Sequence, residues 1–289
     1  MNLGFIGYGE VGFEMSKGFK SEGLNNIHAY DVMQNDATYG RLVKERAENA
    51  GVCLLNHSQA VIEIADIIIV AVPGDKALET AKSVKEFLKK DTIYVDVSAS
   101  SPQVKIKIYE EIKEKGVLFV DGAMLGSLPV YKHKVPTLIS GNGIDRFFDA
   151  MKPYNMDLGK ISEAPGDATA IKLVRSIFMK GLPALFVEVL EAASIMKVDH
   201  LVLKSLADTM DSCSFEQTFN RLVTGSAVHA ARRAHEMKNV IEMLESINVK
   251  PTMAQATYER LSWLASQNMK AKFAGKTPEK WKEVVEAWQ

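Results

Sequence analysis

The chain has 289 residues, 47% of them hydrophobic and 25% charged, with a formal net charge of −1 at pH 7. That length supports one large domain or two medium ones, and the near-neutral balance gives no general attraction to nucleic acid or to an anionic membrane. The longest β-branched apolar run, Ile67 to Val72, is far too short to cross a bilayer.

Leu3 to Ile6 reads as a short buried strand, and the turn Gly7-Tyr8-Gly9-Glu10-Val11-Gly12 follows it directly. An amphipathic run from Phe13 to Glu22 then leads to a second strand, Asn26 to Tyr30, which closes on Asp31. Strand, glycine turn, helix, strand and acid in this order form the dinucleotide-binding fingerprint. Gly7 permits the tight turn, Gly9 lets backbone amides approach a pyrophosphate, and Gly12 lets the helix pack close to the sheet. The helix N-terminus adds free N–H donors and a favourable field. Tyr8, Glu10 and Val11 complete the cofactor loop. Asp31 stands where a carboxylate accepts hydrogen bonds from a free ribose 2′-hydroxyl and repels a 2′-phosphate, which favours NAD over NADP.

Strand and helix continue to alternate. Thr38–Asn49 reads as a helix, Val52–Leu55 as a strand, His57–Ala65 as a helix, and Ile67–Val72 as a central strand buried on both faces. Pro73-Gly74 stops that strand, a helix follows over Lys76–Leu88, and Thr92–Val97 is the next strand. The polar loop Ser98–Ser101 leads to a helix opened by Pro102 and ended by Gly116, and Val117–Val120 closes on Asp121. Five or six strands with intervening helices predict an α/β domain, a doubly wound parallel sheet of the Rossmann type. Ligands in such sheets bind beyond the carboxyl ends of the strands. Val72, Pro73 and Ser98 are therefore expected to line the cofactor.

After residue 162 the composition turns helical. A long apolar-rich helix is expected over Ala168–Met196, kinked at Gly181-Leu182-Pro183. Further helices are expected near 199–211, 215–223, 227–246, 252–268 and 278–288. The expected organisation is a dinucleotide-binding domain over 1–162 and a smaller all-helical substrate and dimerisation domain over 163–289. Cys53 and Cys213 have no metal-ligand spacing and read as free thiols. No metal site is expected, since His28, His57, His133 and His200 have no partners at ligand spacing. With a strand already opening at residue 3, no targeting peptide is expected, and a cytoplasmic location fits.

The whole chain resembles the 3-hydroxyacid dehydrogenase superfamily, which includes 6-phosphogluconate and 3-hydroxyisobutyrate dehydrogenases. The resemblance lies in Gly4-Phe5-Ile6-Gly7-Tyr8-Gly9-Glu10-Val11-Gly12 and in Pro165-Gly166-Asp167-Ala168-Thr169-Ala170-Ile171-Lys172. It implies that Lys172 is a general acid/base: a lysine on an apolar helix near a positive nicotinamide ring has reason to take and return a hydroxyl proton. From the residues alone, an ordinary surface lysine is the simpler reading. The substrate loop differs from the familiar members: Leu125 replaces a serine in Asp121-Gly122-Ala123-Met124-Leu125-Gly126-Ser127, and Ser127 follows two residues later. Arg175 and Ser176 stand where asparagines are usual, and His235-Glu236 where Lys-Asp is usual. These features resemble the phosphogluconate-dehydrogenase-like branch with its own C-terminal domain.

Gly126, Ser127, Arg175, Ser176, Arg233 and His235 are the candidates for holding a small anionic substrate. His229, Arg232, Arg233 and Glu236 share one helical face, which reads equally as a basic wall or as a solvated face with an Arg232–Glu236 pair. The expected activity is hydride transfer between NAD, or less readily NADP, and a small hydroxy or sugar acid. The alternatives are an imine-type reductase on the same scaffold and a non-catalytic NADH-binding sensor. The resemblance also implies a homodimer.

Overall fold

The computed structural model of the protein describes residues 1–288. It divides into two compact units, Met1–Ile177 and the chain from Phe178 onward. The first unit is built on an eight-stranded sheet. Its elements alternate as expected: β1 (Leu3–Ile6), α1 (Glu10–Ser21), β2 (Ile27–Tyr30), α2 (Gly40–Ala50), β3 (Cys53–Leu54), α3 (Ser58–Ile64), β4 (Ile67–Val70), α4 (Ala77–Val84), β5 (Ile93–Asp96) and α5 (Pro102–Ile112). Then come β6 (Leu118–Met124), α6 (Leu128–Tyr131), β7 (Thr137–Ser140), α7 (Ile144–Met151) and β8 (Leu158–Ser162). The strand order is β3-β2-β1-β4-β5-β6-β7-β8.

The first six strands are mutually parallel, so all their carboxyl ends lie along one edge. The run Ile67–Val70 is buried on both faces: Ile67 and Ile69 join the core cluster on one side of the sheet, Ile68 and Val70 the cluster on the other. Two features depart from the sequence expectation. β6 runs through Asp121 to Met124, because Asp121–Met124 pairs antiparallel with Thr137–Ser140. β7 and β8 extend the sheet beyond the expected five or six strands and run against the rest. Their strands are short and lie between polar turns, a weak periodic signal.

The long helix α8 (Asp167–Ile195) is continuous through Gly181 and Pro183. The first unit takes in the start of α8, whose opening turn is hydrogen-bonded to strands of the sheet. The second unit holds the rest of α8 with α9 (Asp199–Met210), α10 (Phe215–Ser246), α11 (Thr252–Ser266), α12 (Met269–Lys272) and α13 (Trp281–Trp288). The two helices expected over 215–246 are one, opened by a capping box in which Ser214 and Gln217 each satisfy the other's backbone amide. Cys53 and Cys213 are free thiols. No helix of the described residues is long and apolar enough to cross a membrane.

Candidate functional site

The glycine turn lies at the carboxyl end of β1. Gly7 has φ +88°, and a Cβ there would lie 2.5 Å from the Ala71 carbonyl oxygen and 2.8 Å from Val72 Cγ1. The β1 and β4 ends thus approach as closely as backbone allows, and only glycine suits this backbone. A Cβ on Gly12 would lie 2.9 Å from the Tyr8 ring, which is why helix α1 sits tightly over the turn. Gly9 is different: a Cβ there would meet nothing within 4 Å. It is the N-cap of α1, and no side chain caps that helix. The open space before Gly9 and the uncapped amides behind it form a cradle suited to a dinucleotide pyrophosphate.

Tyr8 is wholly buried, so only its backbone belongs to the cradle. Burial pushes its phenol up to about 12, although the Ser16 side chain and Arg46 partly offset the shift. Asp31 ends β2 with its carboxylate held by two amides, Tyr8 N–H at 2.6 Å and Met33 N–H at 2.8 Å. It therefore ties the second strand to the glycine turn. Each oxygen keeps a further lone pair for a ribose hydroxyl. Glu10 is exposed, while Val11 and Val72 are half-buried; Pro73 lies exposed beyond β4.

Ser98 is buried and turned inward. Its N–H donates to Asp96 Oδ1 at 2.8 Å and its hydroxyl to Ser100 at 3.1 Å, while its carbonyl accepts from Lys105 at 3.1 Å. Gly126 and Ser127 are exposed in the loop after β6.

Lys172 is half-buried on α8, three residues after Thr169. Thr169 is anchored twice to Asp121, through its N–H at 2.9 Å and its hydroxyl at 2.6 Å. The Ala168 N–H donates to Ser140 Oγ at 3.1 Å. Two amides at the start of α8, which no helical carbonyl satisfies, are thus met by side chains of β6 and β7. Asp121 pairs in register with Asp96, the last residue of β5. This turn of α8 is therefore held at the sheet edge that also carries the glycine turn. Ser176 donates its hydroxyl to the Lys172 carbonyl at 2.9 Å, and Arg175 is exposed.

In the helical unit, Arg232 is exposed and paired with Glu236 at 2.6 Å, whereas Arg233 turns back to Ser226 at 2.5 Å. His229 and His235 are exposed.

Asp96, Lys105 and Ser140 belong to none of the motifs that mark the site in the sequence. The available signal was Lys105 itself, which with Ile108 and Ile112 forms the buried stripe of α5. A lysine at i, i+3, i+7 spacing with two isoleucines is a buried cation in need of partners.

Residues 2–161 match the NAD-binding domain of 6-phosphogluconate dehydrogenase, more than half of the chain. The chain belongs to the 3-hydroxyacid dehydrogenase superfamily. Its first unit is an NAD(P)-binding domain, and residues 193–264 match a domain of unknown function, DUF1932. An uncharacterized 28.5 kDa protein of Methanothermus fervidus is 30% identical over 259 residues, 89% of this chain and 96% of that protein. The 2-(hydroxymethyl)glutarate dehydrogenase of Eubacterium barkeri is 27% identical over 186 residues, 62% of this chain but only 59% of that enzyme. Among solved structures, a conserved protein of unknown function with similarity to 3-hydroxyacid dehydrogenases is 29% identical with a TM-score of 0.61, covering 94% of this chain and 98% of its own. The imine reductase of Myxococcus stipitatus, a variant in complex with NAD+, shares the fold at 14% identity with a TM-score of 0.73 over 100% of this chain and 99% of that one. The same enzyme has also been solved in complex with NADP+.

Proposed function

We propose that the protein is an NAD-dependent dehydrogenase of small hydroxy or sugar acids, with Lys172 as the proton-carrying group. The observation that carries the reading is the double anchor of Thr169 on Asp121, which fixes Lys172 one helical turn beyond the sheet edge. The glycine turn at Gly7, Gly9 and Gly12, with Asp31, would hold the dinucleotide, which when bound would supply the hydride acceptor. Neutral Lys172 Nζ accepts the hydroxyl proton as the C=O bond forms, and its ammonium form returns a proton in the reverse direction. The exposed amides of Gly126 and Ser127, with Arg175 and Ser176 close to Lys172 in sequence, are the groups proposed to hold a substrate carboxylate within this unit.

Two features support NAD over NADP: the Asp31 carboxylate at the end of β2, tied to the glycine turn, suits a free ribose 2′-hydroxyl, and the following residues, Val32-Met33-Gln34-Asn35, include no cation for a 2′-phosphate. The expected assembly is a homodimer, since large apolar side chains of the helical unit are left open to solvent, among them Val187, Leu190, Leu201, Leu203 and Phe215. A soluble cytoplasmic enzyme is the expected setting. A second reading, reduction of C=N bonds, draws on the shared fold with imine reductase; there Lys172 would be dispensable.

The test is absorbance at the reduced-nicotinamide band with a panel of hydroxy acids, sugar acids and cyclic imines, each with NAD(H) and NADP(H). Lys172→Ala should lower alcohol turnover by about 10²–10⁴-fold while leaving NADH binding in place. Turnover that survives in the variant overturns the role of Lys172. Imine reduction with silence on every alcohol would replace the dehydrogenase reading. Tight NADH binding without any turnover would point to a sensor.

A further inference from the structure

The mechanism above leaves one buried cation without a task. Lys105 lies on α5 and is fully buried together with Asp96 and Asp121, all three at 0% side-chain exposure. Its ammonium donates to Asp96 Oδ1 at 2.7 Å, to the Asp96 carbonyl at 2.9 Å and to the Ser98 carbonyl at 3.1 Å. Asp121 Oδ1 lies 3.4 Å away on the other side. The ammonium's three hydrogens thus serve a strand end and the loop that follows it, while its charge pairs with Asp121 on the neighbouring strand.

Burial alone gives no reason for such an arrangement. An apolar residue at 105 would continue the Ile108–Ile112 stripe, and replacing buried ion pairs by well-packed apolar groups is often neutral or stabilising. What the ions add is direction. A hydrogen bond fixes distance and angle, while an apolar contact fixes neither. Each segment that Lys105 touches also belongs to the carboxyl edge where the site is built. The loop Val97–Ser101 is held through Ser98 and Asp96. The β6 strand that opens the Gly126–Ser127 loop is reached through the Asp121 ion pair at 3.4 Å. The start of α8 is held in turn by Asp121 through Thr169, and by Ser140, whose hydroxyl lies 3.4 Å from Asp121 Oδ2.

We propose that Lys105 is a positioning residue, the shared anchor that sets the cofactor-side loop, the substrate loop and the first turn of α8 relative to one another, and thereby the place of Lys172. The inference rests on the reading of Lys172 as the proton carrier. Lys105 touches no reacting atom. Without its charge, the buried Asp96 and Asp121 carboxylates would face each other with no cation between them, and Asp121 would turn from Thr169. That change frees the turn that precedes Lys172.

The experiment uses the full chain carrying Lys105→Met, Thr169→Val or Thr169→Ser. Amide hydrogen exchange is read peptide by peptide, with NADH binding by fluorescence and kcat and KM on a substrate found by the panel. Thr169→Val keeps the side-chain shape and deletes only the hydroxyl bond. It should raise exchange over residues 167–173 about tenfold, the mark of a locally loosened turn. It should also lower kcat on the order of tenfold or more, since small misplacements of a reacting group are costly. KM and NADH affinity should stay within about threefold of wild type, the pattern of a lost transition-state contact rather than lost binding. Thr169→Ser should restore both exchange and kcat.

Lys105→Met should raise exchange in all three segments, where Thr169→Val loosens one. Unchanged exchange in a folded Lys105→Met protein overturns the proposal, as does a kcat that ignores a loosened turn. If Lys105→Met does not fold, the Thr169 pair decides: loss of the local effect there overturns the anchor. The exchange arm needs no substrate. A wild-type protein silent on the whole panel therefore counts against the dehydrogenase reading alone, and the exchange pattern still decides for or against Lys105.

Discussion

The sheet unit and the helical unit treat their apolar side chains differently. In the first, strands covered by helices on both faces build two large buried clusters, from Phe5, Phe19 and Ile69 on one side to Ile62, Ile68 and Phe119 on the other. In the second, the buried clusters are small, one around Ala230 and Leu264 and one around Leu244 and Val249. Leu201 is 67% exposed, Val187 66% and Phe215 60%. The sheet unit closes its own core. The helical unit keeps apolar surface for something else, and the proposed occupant is a second copy of the chain.

The largest effect should come from breaking that arrangement. Phe215 packs edge-on to Phe178 and lies 6.3 Å from Phe219, so its ring is the centre of an exposed aromatic group. Phe215→Glu would forfeit about 2 kcal/mol of burial on each of two chains, and so weaken a dimer on the order of 10³-fold. Sedimentation should give twice the 31.9 kDa chain mass for wild type and the single mass for the variant. A wild-type monomer at micromolar concentration would remove the contrast between the units, leaving the exposed face unexplained.

A smaller effect separates stability from binding inside the sheet unit. Gly7→Ala forces a side chain into a left-handed backbone, 2.5 Å from the Ala71 carbonyl. It should cost about 2–4 kcal/mol in a denaturant melt. Gly9→Ala meets no neighbour and should leave stability within about 0.5 kcal/mol. Its methyl group would enter the pyrophosphate cradle, so NADH affinity should fall about tenfold or more, a loss of at least ~1.4 kcal/mol. Equal NADH binding by Gly9→Ala and wild type would mean that the cradle does not approach a ligand.

The sequence carries the sheet unit up to Asp121 because every signal there is local. The glycine turn, the β-branched Ile67–Val70 run and Pro102 behind a serine cap each depend on neighbours within a few residues, and each appears in the structure. β7 and β8 were not legible, since short edge strands owe their existence to pairing with β6 rather than to their own pattern. The gap expected between 223 and 227 is a continuous turn of α10, where Gly225 and Ser226 are carried by packing of the helix around them. At the site, Gly7, Gly9, Gly12 and Asp31 could be read because spacing alone defines them. Asp96, Lys105, Asp121 and Thr169 lie on four separate segments, and only the sheet order brings them together. Asp121 was visible as a strand end, but its partner Thr169, 48 residues later, was not.

The smallest expected effect concerns acid. In the helical unit His200, His229 and His235 are exposed, whereas the sheet unit buries His133 against Phe19, with ring centroids 4.9 Å apart. His133 Nε2 lies 2.8 Å from the Tyr154 carbonyl, an acceptor only, so Nε2 carries the proton and Nδ1 is the bare nitrogen. Nδ1 is buried and has no hydrogen-bond partner. Burial therefore holds the imidazole pKa below its usual value, although the Tyr154 carbonyl and Glu22 pull the other way. A depressed folded-state pKa means that the unfolded chain binds the proton more readily. The stability carried by neutral His133 is then fully present above the unfolded value of about 6.5 and declines as pH falls toward the folded pKa. Between pH 7.5 and 5, hydrogen exchange should rise in the sheet unit around residues 130–155 before it rises in the helical unit. His133→Gln keeps an N–H donor for Tyr154 but cannot charge, so it should lower stability at neutral pH and flatten the acid slope. The same slope in the variant would move the acid response from His133 to another group, and a response that begins in the helical unit would reverse the contrast between the two.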